Sequence, residues 1–370
     1  MNVAISSTRT KNVKIDRGEL ITELQKLGHR VFYIGKASNH IIHPDYEKYN
    51  VEFLSIPIER SNTNPFKEIK AIIKAKSVLR EAKIETLIAY GIRTFPTMVI
   101  SAKLAGVRNI LCIVNGSGRL FQLKGVKGLI IKFFSYPMLS LAFLLSNCVL
   151  FQNPDDLKMI KRKRLLFKEN YGVVNGSGVN LEKFSYKELP KEPVFLMISR
   201  ITGSKGINEY VQAAICVKKK YPNSKFLLIG PMDEDDSSVN MDLLQKAIKE
   251  NVILYLGRVE DVRPYIHQCR FFVLPSYYPE GIPRAILEAM AVGRPIITTD
   301  SAGCRETVVD GFNGFLVPIR NVEALVEKMV WMIEHKKEVN IMGENSRKFC
   351  EQKFDVKKVN EFMLKKINLI

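Results

Sequence analysis

The chain has 370 residues, 46% hydrophobic and 25% charged, which excludes disordered and collagen-like classes. That length exceeds one ordinary core and predicts two domains. The formal net charge of +18 is unevenly placed: Met1 to Ser185 carry 29 Lys+Arg against 14 Asp+Glu, leaving 27 against 24 of the chain's 56 and 38 for the rest.

A basic half beside a near-neutral half points to one domain that meets an anionic surface. Phospholipid, a diphosphate-linked substrate or nucleic acid would each fit, as would a merely well-solvated basic surface. Nucleic acid is the weakest of these, because no aromatic-interleaved basic motif or reader module is present. Met1–Thr10 lacks a long apolar stretch, so no signal peptide is expected. The six cysteines form no CxxC pair and read as core or incidental thiols of a reducing compartment.

In chain order, short apolar β-branched runs alternate with longer amphipathic stretches. Strands are predicted at Val3–Ile5, Val31–Ile34, Val51–Ile56, Thr86–Tyr90, Ile110–Val114 and Cys148–Phe151. Helices are predicted between most of them, at Gly18–Leu27, Phe66–Ala82 and Phe95–Leu104. Leu129–Val149 is the most apolar region, interrupted by Lys132, Ser135, Tyr136, Pro137 and Ser140. A spanning helix needs about 20 mostly apolar residues without such breaks. A buried helix is the first expectation, and a helix docked shallowly on a membrane, beside Lys124, Lys127 and Lys132, is the second.

The second half repeats the scheme. Its predicted strands are Phe195–Ser199, Phe226–Ile229, Ile253–Leu256, Phe271–Leu274, Pro295–Thr298 and Phe315–Val317. Its predicted helices are Gly206–Lys219, Met241–Lys249, Val262–Gln268 and Pro283–Ala291. Strand–helix alternation implies parallel sheets covered on both faces, so two doubly wound units in series are expected. The polar, proline-containing stretch Glu182–Pro193 is the expected linker. Domains are thus drawn at 1–181 and 182–350, with a helical tail 351–370 crossing back to the first domain. Ligands of such sheets bind beyond the carboxyl ends of the strands, so a cleft between facing domains is the expected site.

The densest chemical signal is Leu274-Pro-Ser-Tyr-Tyr-Pro-Glu280-Gly-Ile-Pro283-Arg-Ala-Ile-Leu-Glu288-Ala-Met-Ala. A buried strand enters a loop and then a helix. Pro283 fits the first helical turn, and Gly281 admits close backbone approach. Amides at that helix start favour a phosphate. Glu280 and Glu288 would lie roughly 10 Å apart, which suits two groups on one elongated ligand. It is too far for a carboxylate pair acting on one bond in the retaining-hydrolase manner. Alone, the two glutamates also fit a solvated loop and an ordinary helix surface.

This stretch resembles the donor site of glycosyltransferase family 4, whose members have the GT-B fold. The likeness continues through Ala291-Val-Gly-Arg-Pro-Ile-Ile-Thr-Thr-Asp-Ser-Ala-Gly-Cys-Arg-Glu-Thr307 and Asp310-Gly-Phe-Asn-Gly314. Upstream, Ser199-Arg200-Ile-Thr-Gly-Ser-Lys205-Gly206 is similar to the family's basic donor motif, and Asn175-Gly-Ser-Gly-Val-Asn180 to the turn before its second domain. Arg17-Gly-Glu-Leu-Ile, Gly28-His-Arg-Val and Phe151-Gln-Asn-Pro-Asp-Asp156 also fit. The likeness is strong from about Phe195 to Val317 and moderate before.

The resemblance implies an α/β protein of two Rossmann-like, doubly wound parallel-sheet domains facing across a cleft. It also implies positions. Arg200 and Lys205 hold the donor diphosphate, as leaving-group charge requires. Glu280 contacts the transferred sugar. Gly281, Ile282 and Pro283 bring backbone to the diphosphate, Glu288 takes the ribose hydroxyls, and Arg258 and Val259 lie beside the base. Family members retain anomeric configuration and require no metal, although Asp233-Glu-Asp-Asp236 contains a DxD-like motif. Where many relatives place a histidine near the reacting sugar, this chain reads Val114-Asn115-Gly116-Ser117-Gly118-Arg119. Asn115 would take the orienting role, without carrying a proton. A subgroup acting in bacterial surface-polysaccharide assembly has a similar turn, and a plain tight turn also explains it.

The expectation is a cytoplasmic retaining glycosyltransferase, peripheral on the inner face of an anionic membrane. It would move a sugar, an N-acetylhexosamine in first expectation, from a UDP-sugar to a lipid-diphosphate-linked saccharide of an O-antigen or capsule pathway. The rival expectations are another GT-B enzyme, such as a sugar-nucleotide epimerase or a phosphorylase, and a non-catalytic saccharide- or nucleotide-binding protein.

Overall fold

The structure is a computed structural model that describes residues 1–7, 13–36, 45–57, 65–233 and 238–370. Its contacts divide the chain into unit 1, Met1–Val174 with Val359–Ile370, and unit 2, Asn175–Lys358.

Unit 1 is built on a seven-stranded parallel sheet. Its strands are β1 (Asn2–Ser6), β2 (Arg30–Gly35), β3 (Glu52–Ser55), β4 (Thr86–Tyr90), β5 (Asn109–Val114), β6 (Cys148–Phe151) and β7 (Tyr171–Val173), in the order β3-β2-β1-β4-β5-β6-β7. Successive side chains of a strand point to opposite faces, and here both faces are buried, hence the near-continuous apolar strands. Ala4, Leu87, Ala89, Ile110 and Cys112 face one core, covered by Phe95, Met98 and Val99 and by Leu139 and Phe143. Val3, Ile5, Ile88, Leu111 and Ile113 face the other, covered by Leu20, Ile21 and Leu24. The chain's last stretch joins that second core through Val359, Met363 and Leu364.

Unit 2 repeats the architecture with six parallel strands. They are β8 (Val194–Ile198), β9 (Lys225–Ile229), β10 (Ile253–Tyr255), β11 (Phe271–Leu274), β12 (Ile296–Thr299) and β13 (Gly314–Val317), in the order β10-β9-β8-β11-β12-β13. Two doubly wound parallel sheets in series make the GT-B architecture. Every predicted strand is present, within one residue at each end. β7 was not predicted: three residues with a central glycine carry no periodicity to read.

Three expectations are corrected. The division between units falls after Val174, not within Glu182–Pro193. The turn Asn175–Asn180 is already committed to unit 2. Val179 N–H donates to Phe354 O at 2.8 Å, and a side chain at Gly176 would meet Ile282. The helix expected to begin the tail at 351 is two helices, Lys336–Lys353 and Val356–Lys365. The expected buried helix is Gly125–Leu145, and it is buried on one side only. Leu139, Ala142 and Phe143 pack inward, while Leu129, Phe133, Phe134 and Leu144 are exposed. Cys148 and Val149 belong to β6.

Unit 2 carries a fully buried arginine. Arg294 Nη1 donates to Cys269 O at 3.1 Å, and Nη2 donates to Lys187 O at 2.8 Å and Glu188 O at 3.2 Å. It pins the expected linker to the sheet. Arg294→Ala leaves the buried Cys269 carbonyl without this donor and the volume of a fully buried side chain unfilled, so unit 2 should lose about 3 kcal/mol of stability in urea unfolding. A loss below about 1 kcal/mol would contradict this role.

Candidate functional site

All strands of unit 2 run the same way, so the loops that follow them emerge on one edge. From β8 the sheet grows outward through β9 and β10 on one side and through β11, β12 and β13 on the other. That reversal opens a crevice between the loops after β8 and β11. Arg200 and Lys205 follow β8, and Glu280 follows β11.

The two loops interlock. After β8 the chain makes one tight turn at Gly203–Lys205, then enters the helix Ile207–Lys220 through Gly206. Gly206 has φ +81, and a Cβ there would sit 2.2 Å from Pro275 O. Only glycine meets both conditions. Tyr277 N–H donates to Ser204 O at 2.9 Å. A third loop, after β12, closes on the same segment. Gly303, φ +80, abuts Gly281 O, and Ser301 Oγ donates to Ser276 O at 2.8 Å.

This packing brings Lys205 Nζ into contact with Glu280 Oε1, on side chains only 11% and 19% exposed. Ser276 Oγ donates to the same carboxylate oxygen at 3.1 Å. The Tyr278 ring lies 5.2 Å from Lys205 Nζ and 6.0 Å from the Arg200 guanidinium. Beneath the loop, burial first and then Glu280 push the Cys304 thiol above its ordinary range, so it stays neutral. Arg200 is more open and pairs with Asp233 at 2.9 Å. That places Asp233, the first residue of the acidic motif, on a cation; 234–236 lie outside the described residues. Among the described residues no three His, Cys, Asp or Glu gather as a metal site.

Glu288 lies inside the helix Arg284–Ala291, 8% exposed, and accepts from Arg284 Nε at 3.0 Å. Pro283 is the residue before this helix, with an extended ψ of 117, rather than part of its first turn as predicted. Extended backbone at that position lets the proline enter the helix without losing an amide. Gly281 and Ile282 are buried. Arg258 and Val259 follow Gly257, whose carbonyl accepts from Gly230 N–H at 2.8 Å, so they sit on the same carboxyl edge, two strands from β8. Arg258 is exposed and Val259 packs on the core.

Asn115 belongs to unit 1. It follows β5, is exposed, and opens a turn with Gly116 at φ 114 and Gly118 at φ 67. That turn is anchored by Asp156, which sequence reasoning missed as a functional support. Its carboxylate accepts from Ser117 and from Asn153 Nδ2, the latter at 2.8 Å. Burial raises the Asp156 carboxyl above the usual carboxylate range. Ser276 and Arg284 were also missed. The Arg284–Glu288 spacing of four was legible; the Ser276 contact needed the loop's fold.

Residues 179–349 match the family model described as Glycosyl transferases group 1. The chain is 28% identical, over 75% of its length and 75% of the relative's, to the N,N'-diacetylbacillosaminyl-diphospho-undecaprenol alpha-1,3-N-acetylgalactosaminyltransferase of Campylobacter jejuni. It is 27% identical, over 85% of its length and 83% of the relative's, to the UDP-Gal:alpha-D-GlcNAc-diphosphoundecaprenol alpha-1,3-galactosyltransferase of Escherichia coli. Among solved structures it superposes on Anabaena HepE in complex with UDP with a TM-score of 0.80, at 17% identity over all of both chains, a likeness of fold alone.

The Lys205–Glu280 contact predicts energetic coupling. Truncating either residue to Ala should lower stability by about 1–3 kcal/mol, because its partner is left poorly solvated. The double mutant should lose less than the sum by roughly 1 kcal/mol in urea unfolding. Simple additivity would contradict the contact.

Proposed function

We propose that this chain, a glycosyltransferase of the GT-B class with a group 1 transferase domain in unit 2, moves a sugar from a UDP-sugar to a lipid-diphosphate-linked saccharide. The observation that carries the donor assignment is the Lys205–Glu280–Ser276 cluster at the reversal of the unit 2 sheet. The contact holds a buried cation and a carboxylate close enough together to meet one ligand. The Campylobacter and Escherichia relatives, named for diphospho-undecaprenol acceptors, support the acceptor class. HepE, crystallised with UDP, supports the nucleotide.

In this reading Lys205 and Arg200 take the diphosphate, on which negative charge grows as the bond to the sugar breaks. Each cation already has a carboxylate partner, so the donor exchanges ion pairs instead of meeting bare charges. Glu280 turns to the hydroxyls of the sugar, and the backbone of Gly281, Ile282 and Pro283 approaches the diphosphate. Glu288, oriented by Arg284, receives the ribose hydroxyls, and Arg258 and Val259 flank the base. Asn115, held by the Asp156-anchored turn, orients the reacting sugar without exchanging a proton. Transfer retains anomeric configuration and uses no metal. An N-acetylhexosamine donor and surface-polysaccharide assembly are the finer assignments, with the protein peripheral on the inner face of an anionic membrane.

UDP should be released only when an acceptor is present, which separates transfer from epimerisation and from simple binding. Lys205→Ala should lower kcat/KM by about 100-fold or more, and Glu288→Ala should weaken UDP binding measured by calorimetry. An unchanged transfer rate in Lys205→Ala would remove the donor assignment. Transfer from GDP-sugars alone, across a panel of donors, would overturn the nucleotide.

A further inference from the structure

The helix Gly125–Leu145 connects β5 to β6 and has two unlike sides. Leu139, Ala142 and Phe143 lie in the core of unit 1. Val126, Leu129, Phe133, Phe134, Leu141 and Leu144 recur at helical spacing along the outer side, and all are exposed, Phe133 by 74% and Leu129 by 67%. Soluble proteins seldom leave so long an apolar stripe in water.

A basic segment lies against this helix. Ser140 Oγ donates to Leu165 O at 2.7 Å, and Lys163 Nζ sits 5.8 Å from the Tyr136 ring. Lys161, Arg162, Lys163 and Arg164 are all exposed, and Phe167, 73% exposed, precedes Lys168. From Lys124 to Lys168 the chain holds nine Lys and Arg against two acids, Asp155 and the buried Asp156.

We infer that this face docks unit 1 onto an anionic phospholipid bilayer, with the helix lying in the interface and its aromatic stripe among the acyl chains. The Lys161–Lys168 segment meets the headgroups. The inference deepens the membrane part of the proposal above by naming the surface. At 21 residues the helix is long and apolar enough to cross a membrane, but its inner side is packed in the core and its ends lead to adjacent strands of one sheet. A second copy of the chain is a poorer occupant, because a two-fold contact through this face would bring the cationic segments together.

The test is sedimentation of the full chain with phosphatidylcholine vesicles, with and without phosphatidylglycerol, in the absence of any sugar donor. The wild type should bind the anionic vesicles and lose that binding as salt rises. Phe133→Ser/Phe134→Ser should weaken binding by about tenfold or more. Lys127→Gln/Arg162→Gln/Lys168→Gln should abolish the preference for anionic over neutral vesicles. Both variants should keep the wild-type circular dichroism and the wild-type rate on an acceptor bearing a short soluble chain in place of lipid. Vesicle binding unchanged in both variants would overturn the inference, as would a wild type that ignores vesicles and instead forms a concentration-dependent dimer lost in Phe133→Ser/Phe134→Ser. Loss of transfer with vesicle binding intact would count against the proposed reaction and leave the docking face standing.

Discussion

A lysine and a glutamate withdrawn from water set the terms for unit 2. Ion pairs removed from solvent are costly to desolvate and are held only by good geometry with supporting hydrogen bonds. Lys205 and Glu280 meet that condition because two loops 75 positions apart are locked together. The lock is steric as much as polar: Gly206 lies under the Pro275 carbonyl, Gly303 lies under Gly281, and Ser276 accepts bonds from the β12 loop while donating to Glu280. The apolar strands β8 and β11 lie side by side at the one place where the sheet order reverses, and so deliver these loops to each other. An exposed pair such as Arg200–Asp233 asks much less of the fold and contributes little to stability.

The same economy appears in unit 1. Its sheet is covered on both faces, and the connection from β5 to β6 must therefore be a helix with one apolar side. The helix Gly125–Leu145 has that side and a second one besides. The inner side belongs to folding, and the exposed outer side is the face proposed to dock on a bilayer. The basic excess read from the first half of the sequence gains a location in the Lys161–Lys168 segment, where Lys163 Nζ lies 5.8 Å from the Tyr136 ring of that helix.

Much of this was legible in the sequence because parallel strands buried on both faces write continuous apolar runs, and the helices between them write a period near 3.6. β7 escaped because Tyr171-Gly-Val173 is short and lies at an edge. Burial of Gly125–Leu145 was misjudged because hydropathy reports how apolar a segment is, not what lies against each side. Pro283 was placed one residue too deep, since its restricted φ suits both the residue before a helix and the first residue within it. The candidate residues of unit 2 were found through a family resemblance, and their partners were not. Glu280 was read as one end of a ligand-binding span, whereas its contact with Lys205 depends on loop packing that no local pattern encodes. Asp156 was quoted only as part of a matching motif; its hold on the Asn115 turn appears when β5 and β6 are set side by side.

The central claim is that the crevice between the loops after β8 and β11 receives the diphosphate of a nucleotide sugar. A crystal structure of the chain soaked with a UDP-sugar tests it most directly. The account predicts the diphosphate within hydrogen-bond distance of Lys205 Nζ and the sugar hydroxyls on Glu280, with the ribose at Glu288 and no metal bridging the phosphates. A nucleotide bound away from this crevice, with the Lys205–Glu280 contact undisturbed, would contradict it.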